Sequence, residues 1–193
     1  MQWALPNPQT ENRVAASPQD RAFCPCCHDV VIAKCGTLVT WHWAHKAFDC
    51  DPWYEPESQW HLDWKSKFPA HFQEVVVGCH RADIKTSRLV VELQASCISP
   101  EEIYEREHFY SAMLWLLKGE DFAKNMSLRP KERYTTFRWK WPRRSWWNAS
   151  KPIIVDFLPR GLFWLRKVYP NVPCGGWGTW LTEQAFFNWC GCP

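Results

Sequence analysis

The chain has 193 residues and a formal net charge of +3, enough for one substantial core with a small appended subdomain. Any attraction to nucleic acid must therefore be local, not a property of the whole surface. No apolar run approaches the roughly 20 residues a membrane helix needs, and ten cysteines without a secretory signal argue against a disulfide scaffold and for a reducing, cytoplasmic setting.

Residues 1–20, with Pro6, Pro8, Asn12 and Ser17, read as a loose arm in which residues 1–5 add a strand. Cys24-Pro25-Cys26-Cys27-His28 and Trp41-His42-Trp43-Ala44-His45 follow. The spacing Cys24-x2-Cys27, fourteen residues, His42-x2-His45 suits a tetrahedral Cys2His2 site, with Cys24, Cys27, His42 and His45 holding a structural Zn²⁺ that has no open position for water. Cys26, His28, Cys35 and Cys50 compete for these places, and a set of Cys24, Cys27, His45 and Cys50 fits the same chemistry. Reduced cysteines packed in a core are the plain alternative.

Glu57, His61 and Lys65 recur every four residues and share one helix face, while Trp60, Trp64 and Phe68 repeat on another. That face either supports a site or is a solvated stripe of weak pairs. His80-Arg81-Ala82-Asp83-Ile84 and Leu89-Val90-Val91-Glu92-Leu93-Gln94 are strand-like, with Glu92 and Gln94 on the same face. Asp83 and Glu92 suit a hard divalent cation, Mg²⁺ or Mn²⁺, and Gln94 can orient a water. A half-buried hairpin with solvent-facing polar residues would show the same pattern.

Ser99 as N-cap, Pro100 at the first helical position and Glu102 closing a capping box start a helix that should run to about Met113. Met113-Leu114-Trp115-Leu116-Leu117 reads as a buried strand, so the Glu92 strand and this one should be joined by a right-handed parallel crossover.

Residues 129–151 carry eight Lys or Arg against one acid, Glu132, interleaved with aromatics. Such a mixture suits phosphate contacts plus base stacking, with Arg138, Lys140, Arg143, Arg144 and, further upstream, Arg106 as nucleic-acid contacts. The alternation of Phe137, Trp139 and Trp141 with Arg138 and Lys140 equally fits a hairpin with aromatics inward and a basic outer face. Residues 152–165 read as a β-hairpin turned at Pro159-Arg160-Gly161. Gly175-Gly176-Trp177-Gly178 reads as a turn before a helix over residues 182–189, and Cys190-Gly191-Cys192-Pro193 as a tail without chemistry.

Glu57-Ser58 with His61 and Lys65, His80-Arg81-Ala82-Asp83-Ile84, Glu92-Leu93-Gln94-Ala95-Ser96, Ile98-Ser99 and Glu105-Arg106-Glu107 with Tyr110 together resemble the nuclease-like domain of competence protein CoiA and its relatives. The fragment over residues 23–50 resembles the zinc-ribbon-like knuckle that precedes it. The resemblance implies an α/β chain: a PD-(D/E)XK, restriction-endonuclease-like core, a mixed sheet flanked by helices, behind an N-terminal zinc-binding subdomain and before a C-terminal β-rich extension. The corresponding spans are 1–52, 53–125 and 126–193.

In such a core Asp83 and Glu92 would bind Mg²⁺, with Glu57 as a further ligand or water-orienting group. The superfamily's usual Lys is replaced by Gln94, which cannot take a proton or supply positive charge. Lys65, Lys85 or His61 would have to do so. Two functions follow: a metal-dependent nuclease or DNA-processing protein linked to DNA uptake, recombination or defence, or a catalytically inactive adaptor that binds nucleic acid, DNA above all, or a protein partner through the Trp-rich C-terminal part. A homodimer is a natural arrangement, because one such site cuts one strand.

Overall fold

Short apolar stretches broken by proline and cysteine turns produce small strands at the start of the chain. The computed structural model describes residues 1–37, 40–47, 50–53, 55–171 and 173–192. The chain divides into two units, Met1–Ile84 and Lys85–Pro193.

In the first unit, β1 (Trp3–Ala4) pairs with β2 (Val14–Ala15), so the expected N-terminal strand is present. β3 (Arg21–Phe23), β4 (Val30–Lys34) and β5 (His42–His45) form an antiparallel sheet. Ala22, Val31 and Trp43 bury their side chains with Met1, Ala4, Ala16 and Cys24 in one small core. Helix α1 (Gln59–Ser66) starts at Ser58, whose hydroxyl and amide both engage His61 Nδ1, a capping box with histidine in the place usually held by Glu. The hairpin of β6 (Gln73–Val77) and β7 (His80–Lys85) turns at Gly78-Cys79, with Gly78 at a φ of 58°. Between the pairs Gln73↔Ile84 and Val75↔Ala82, Glu74 takes a φ of 48°. That left-handed conformation is costly for a residue with a β-carbon and re-aims its side chain.

The second unit carries a mixed sheet. Its strands are β8 (Val90–Gln94), β9 (Met113–Lys118), β10 (Met126–Pro130), β11 (Thr135–Trp139), β12 (Ile153–Asp156), β13 (Leu162–Tyr169) and β14 (Gly175–Leu181). They lie in the order β10-β11-β14-β13-β12-β9-β8. β8, β9 and β12 are parallel neighbours and the rest are antiparallel. Both polar residues of β8 are buried, as a strand covered on both faces demands, so the solvent-facing hairpin reading does not hold for Glu92 and Gln94.

Helix α2 (Pro100–Phe109) makes the crossover from β8 to β9. Ser99 Oγ accepts from the Glu102 amide at 3.0 Å, but the Glu102 carboxylate turns to Arg106 and the expected capping box is only half made. The helix ends four residues before Met113, because that apolar run joins the sheet. Helix α3 (Glu120–Asn125) precedes β10, and α4 (Glu183–Cys190) is capped by Thr182.

Three readings of the C-terminal third need correction. Trp141 is 68% exposed, so the inward alternation stops at Trp139. Gly175-Gly176-Trp177-Gly178 is strand, not turn: a β-carbon on Gly176 would lie 1.9 Å from the Lys167 carbonyl oxygen and 2.7 Å from the Phe137 ring, so neighbouring backbone and rings occupy the side-chain space. Cys190 and Cys192 are buried, Thr86 Oγ1 donates to the Cys190 carbonyl at 2.6 Å, and Gly191 forms a left-handed C-cap, so this segment is packed. Pro193 lies outside the described residues.

A candidate metal knuckle and an acidic cluster around Lys65

Cys24, Cys27, His45 and Cys50 place one donor atom each within 4.8 Å of all the others. Cys24 Sγ and Cys50 Sγ are 3.7 Å apart, and Cys27 Sγ is 3.3 Å from His45 Nε2. A tetrahedral zinc with Zn–S near 2.3 Å and Zn–N near 2.0 Å separates two sulfurs by about 3.8 Å and a sulfur from a nitrogen by about 3.5 Å. The turn is built for this task. The Cys26 amide donates to Cys24 Sγ at 3.3 Å, and the His28 amide, at a residue with a φ of 60°, donates to the Cys24 carbonyl at 3.0 Å and closes the turn. Burial and the neighbouring thiols push the Cys50 thiol up, and burial raises Cys27 as well, so metal binding here would have to displace protons.

Cys50 rather than His42 completes the set. His42 and His45 are three apart on strand β5, which turns their side chains to opposite faces. His42 Nδ1 instead sits 2.8 Å from the Thr40 carbonyl. Cys26 Sγ donates to the Cys79 carbonyl at 3.5 Å.

The second constellation of the first unit surrounds Lys65. Its ammonium is buried, bonded to Glu57, and lies 3.1 Å from Glu74 Oε1 and 3.2 Å from Asp83 Oδ1. Burial alone would lower the Lys65 pKa, but the carboxylates of Glu74, Asp83 and Glu57 outweigh it and raise it. For Glu74 burial pushes the other way, and Lys65, the Met1 ammonium and Arg81 hold its carboxyl at about 2. Its second oxygen accepts from the amides of Gln2 at 2.8 Å and Trp3 at 3.2 Å.

Glu57, Lys65 and Asp83 are therefore brought together as a cluster, not a solvated stripe. His61 is occupied in capping α1, with Nε2 3.6 Å from Glu55, and Lys85 Nζ donates to the Thr86 carbonyl. Of the three cations considered for the missing-lysine role, Lys65 is the one at Asp83. The reading of the sequence missed Glu74; its one signal is an acid opening the apolar run Val75-Val76-Val77.

In the second unit Glu92 Oε2 accepts from Arg106 Nη1 at 2.7 Å, and Arg106 also binds Glu102. Arg106 is buried in this pair, not placed for nucleic acid, because α2 packs that face inward. Gln94 Nε2 lies 3.4 Å from Ser96 Oγ. Arg138, Lys140 and Arg144 are exposed, Lys140 near the Trp141 ring and Arg144 near Trp147. Arg143 is drawn to the Ser96 carbonyl and the Phe122 ring. Glu107 is also buried, accepting from Trp115 Nε1, the Ser150 amide and hydroxyl and the Lys151 amide.

A three-cysteine, one-histidine cluster beside a small antiparallel sheet, followed by a helix and a hairpin around a lysine ringed by acids, defines an α/β protein with an N-terminal Cys/His cluster that could hold a metal ion. Residues 8–52 match the family described as competence protein CoiA, N-terminal domain. All four knuckle residues fall inside the matched span, which ends before α1. No curated protein and no solved structure matches the chain. Among the described residues, no helix is long and apolar enough to cross a membrane.

Proposed function

We propose that this CoiA-like chain has a competence-related role as a nuclease-like protein of the PD-(D/E)XK type that hydrolyses phosphodiester bonds in DNA. The observation that carries the reading is the Lys65 ammonium at 3.2 Å from Asp83, on the His80-Arg81-Ala82-Asp83 strand. Glu57, Glu74 and Asp83 already gather one cation, Lys65, so the donor chemistry suits a cation, and Asp83 is the most exposed of the three.

From residue type and strand position alone, Asp83 and Glu92 are each proposed as Mg²⁺ ligands, and a bound Mg²⁺ would supply positive charge beside the phosphate and favour ionisation of water. Lys65 is proposed to supply positive charge beside Asp83, and Gln94, which cannot supply charge, is proposed from its residue type to orient water through its carbonyl. Glu57 holds Lys65 through a direct ion pair. Arg138, Lys140 and Arg144, with Trp141 exposed beside them in sequence, are the proposed phosphate and base contacts. Zinc at Cys24, Cys27, His45 and Cys50 is structural.

The inactive-adaptor reading draws on a different observation: the buried Arg106–Glu92 pair already neutralises one proposed ligand. Cleavage of labelled single- and double-stranded DNA in Mg²⁺ or Mn²⁺, comparing wild type with Asp83→Ala and Glu92→Gln, separates the two. Cleavage lost in both variants, with DNA affinity kept, supports the nuclease. DNA bound but uncut by the zinc-loaded wild type overturns it in favour of the adaptor.

A further inference from the structure

Asp51 directly follows the knuckle residue Cys50 and is 3% exposed. Its carboxylate takes three donors. Oδ1 accepts from the Trp53 amide at 3.0 Å and from His80 Nδ1 at 2.9 Å, and Oδ2 accepts from the Arg81 amide at 2.7 Å. The first of these closes an Asx-type turn that fixes the carboxylate relative to the chain leaving Cys50. The other two hold the first two residues of β7. The Trp53 ring stacks on His80 with centroids 3.3 Å apart and planes 8° from parallel, which closes one side of the clamp.

A buried carboxylate is retained only where its oxygens are satisfied, and removing it leaves the donors that faced it exposed to the same penalty. Asp51 is joined directly to Cys50, so a ligand that fixes the Cys50 thiolate also restrains the start of the Asp51 turn. β7 then carries Asp83 two residues beyond Arg81, against Lys65.

We infer that Asp51 is a positioning residue through which metal binding at Cys24, Cys27, His45 and Cys50 sets the start of the strand that bears Asp83. The inference rests on the zinc reading of that cluster. It gives the knuckle a role beyond stabilising its own turn: it makes the geometry at Asp83 depend on zinc.

Amide hydrogen exchange on the full zinc-loaded chain, with zinc measured in each sample, tests this. Chelation of zinc from the wild type should speed exchange at Arg81 and along residues 80–84 by about tenfold, the order expected for losing buried charged hydrogen bonds. Residues 114–117 of the second unit should keep their protection. Asp51→Ala should keep its zinc, show the same acceleration before any chelator is added, and change little further on chelation. Asp51→Asn, which keeps one acceptor oxygen but turns a donor toward the other site, should fall between.

Exchange at Arg81 indifferent to zinc would overturn the inference. So would effects of Asp51→Ala and chelation that add in full, since zinc would then act by another contact, such as Cys26 to the Cys79 carbonyl. Acceleration spread evenly over α1 and β6 would also overturn it, because the whole unit would be loosening. A wild-type chain that binds no zinc removes the zinc reading itself, and the metal measurement identifies that outcome separately.

Discussion

Replacing Lys65 with Met keeps the length of the side chain and removes the charge that three acids share. Glu74 feels this most, being 2% exposed and held at about 2 chiefly against burial by Lys65. Lowering its pKa from 4.5 to about 2 corresponds to about 3 kcal/mol at neutral pH, and removing one partner of a buried ion pair costs a similar amount. These are one interaction counted from two sides, so Lys65→Met should lose about 3 kcal/mol at pH 7.

The sign of the pH dependence is the sharper test. A depressed carboxyl contributes stability that is complete above its ordinary pKa and disappears as pH falls through the folded value, here between about 4.5 and about 2. In the variant, burial unopposed by Lys65 raises Glu74, so protonation relieves a penalty. The wild-type advantage should shrink by about 2 kcal/mol between pH 7 and pH 3. Urea unfolding followed by far-UV circular dichroism measures it, urea being preferred because guanidinium ions screen charge. An advantage that stays constant across that range would refute the reasoning, because the loss would then come from packing and not from charge.

Cys50→Ser should lose zinc and lower the stability of the first unit while His42→Ala keeps the metal, as zinc content by mass spectrometry can check; zinc retained by Cys50→Ser would return the fourth place to another residue. Glu107→Ala should destabilise the second unit by about 3 kcal/mol in denaturant titrations, since it strands the Trp115 indole and the Ser150 and Lys151 amides. Gly176→Val should cost more than about 3 kcal/mol or prevent folding, seen as lost soluble yield or lost near-UV dichroism, because its β-carbon would lie 1.9 Å from the Lys167 carbonyl oxygen, which cannot move aside without leaving the sheet.

Much of the second unit could be read from local pattern. Ser99-Pro100 announces α2, the run from Met113 announces β9, and the turn at Pro159-Arg160-Gly161 separates β12 from β13, because each signal is settled within a few residues. The errors share a cause in partners far along the chain. His42-x2-His45 looked right as spacing, yet strand alternation sends the two rings apart and brings in Cys50. Arg106 looked like a surface cation until Glu92, fourteen residues earlier, proved to be its partner. Glu74 and Asp51 carry no motif. Their significance comes from a left-handed backbone position in one case and from strand β7 crossing nearby in the other.

The glycine strand β14 bears on the abundance of aromatic residues downstream of residue 130. With no side chains at Gly175, Gly176 and Gly178, the sheet is thin along that line, and volume missing from one strand has to be donated by its neighbours. Phe137 and Phe163 reach across to fill it, with Trp180 packed 4.9 Å from Phe163. Aromatic mass there is a matter of conserved volume, so these rings cannot be exchanged singly without a matching enlargement on the glycine strand. An aromatic residue in this part of the chain is left at the surface where, as at Trp141, it is not already spent in replacing what glycine leaves out.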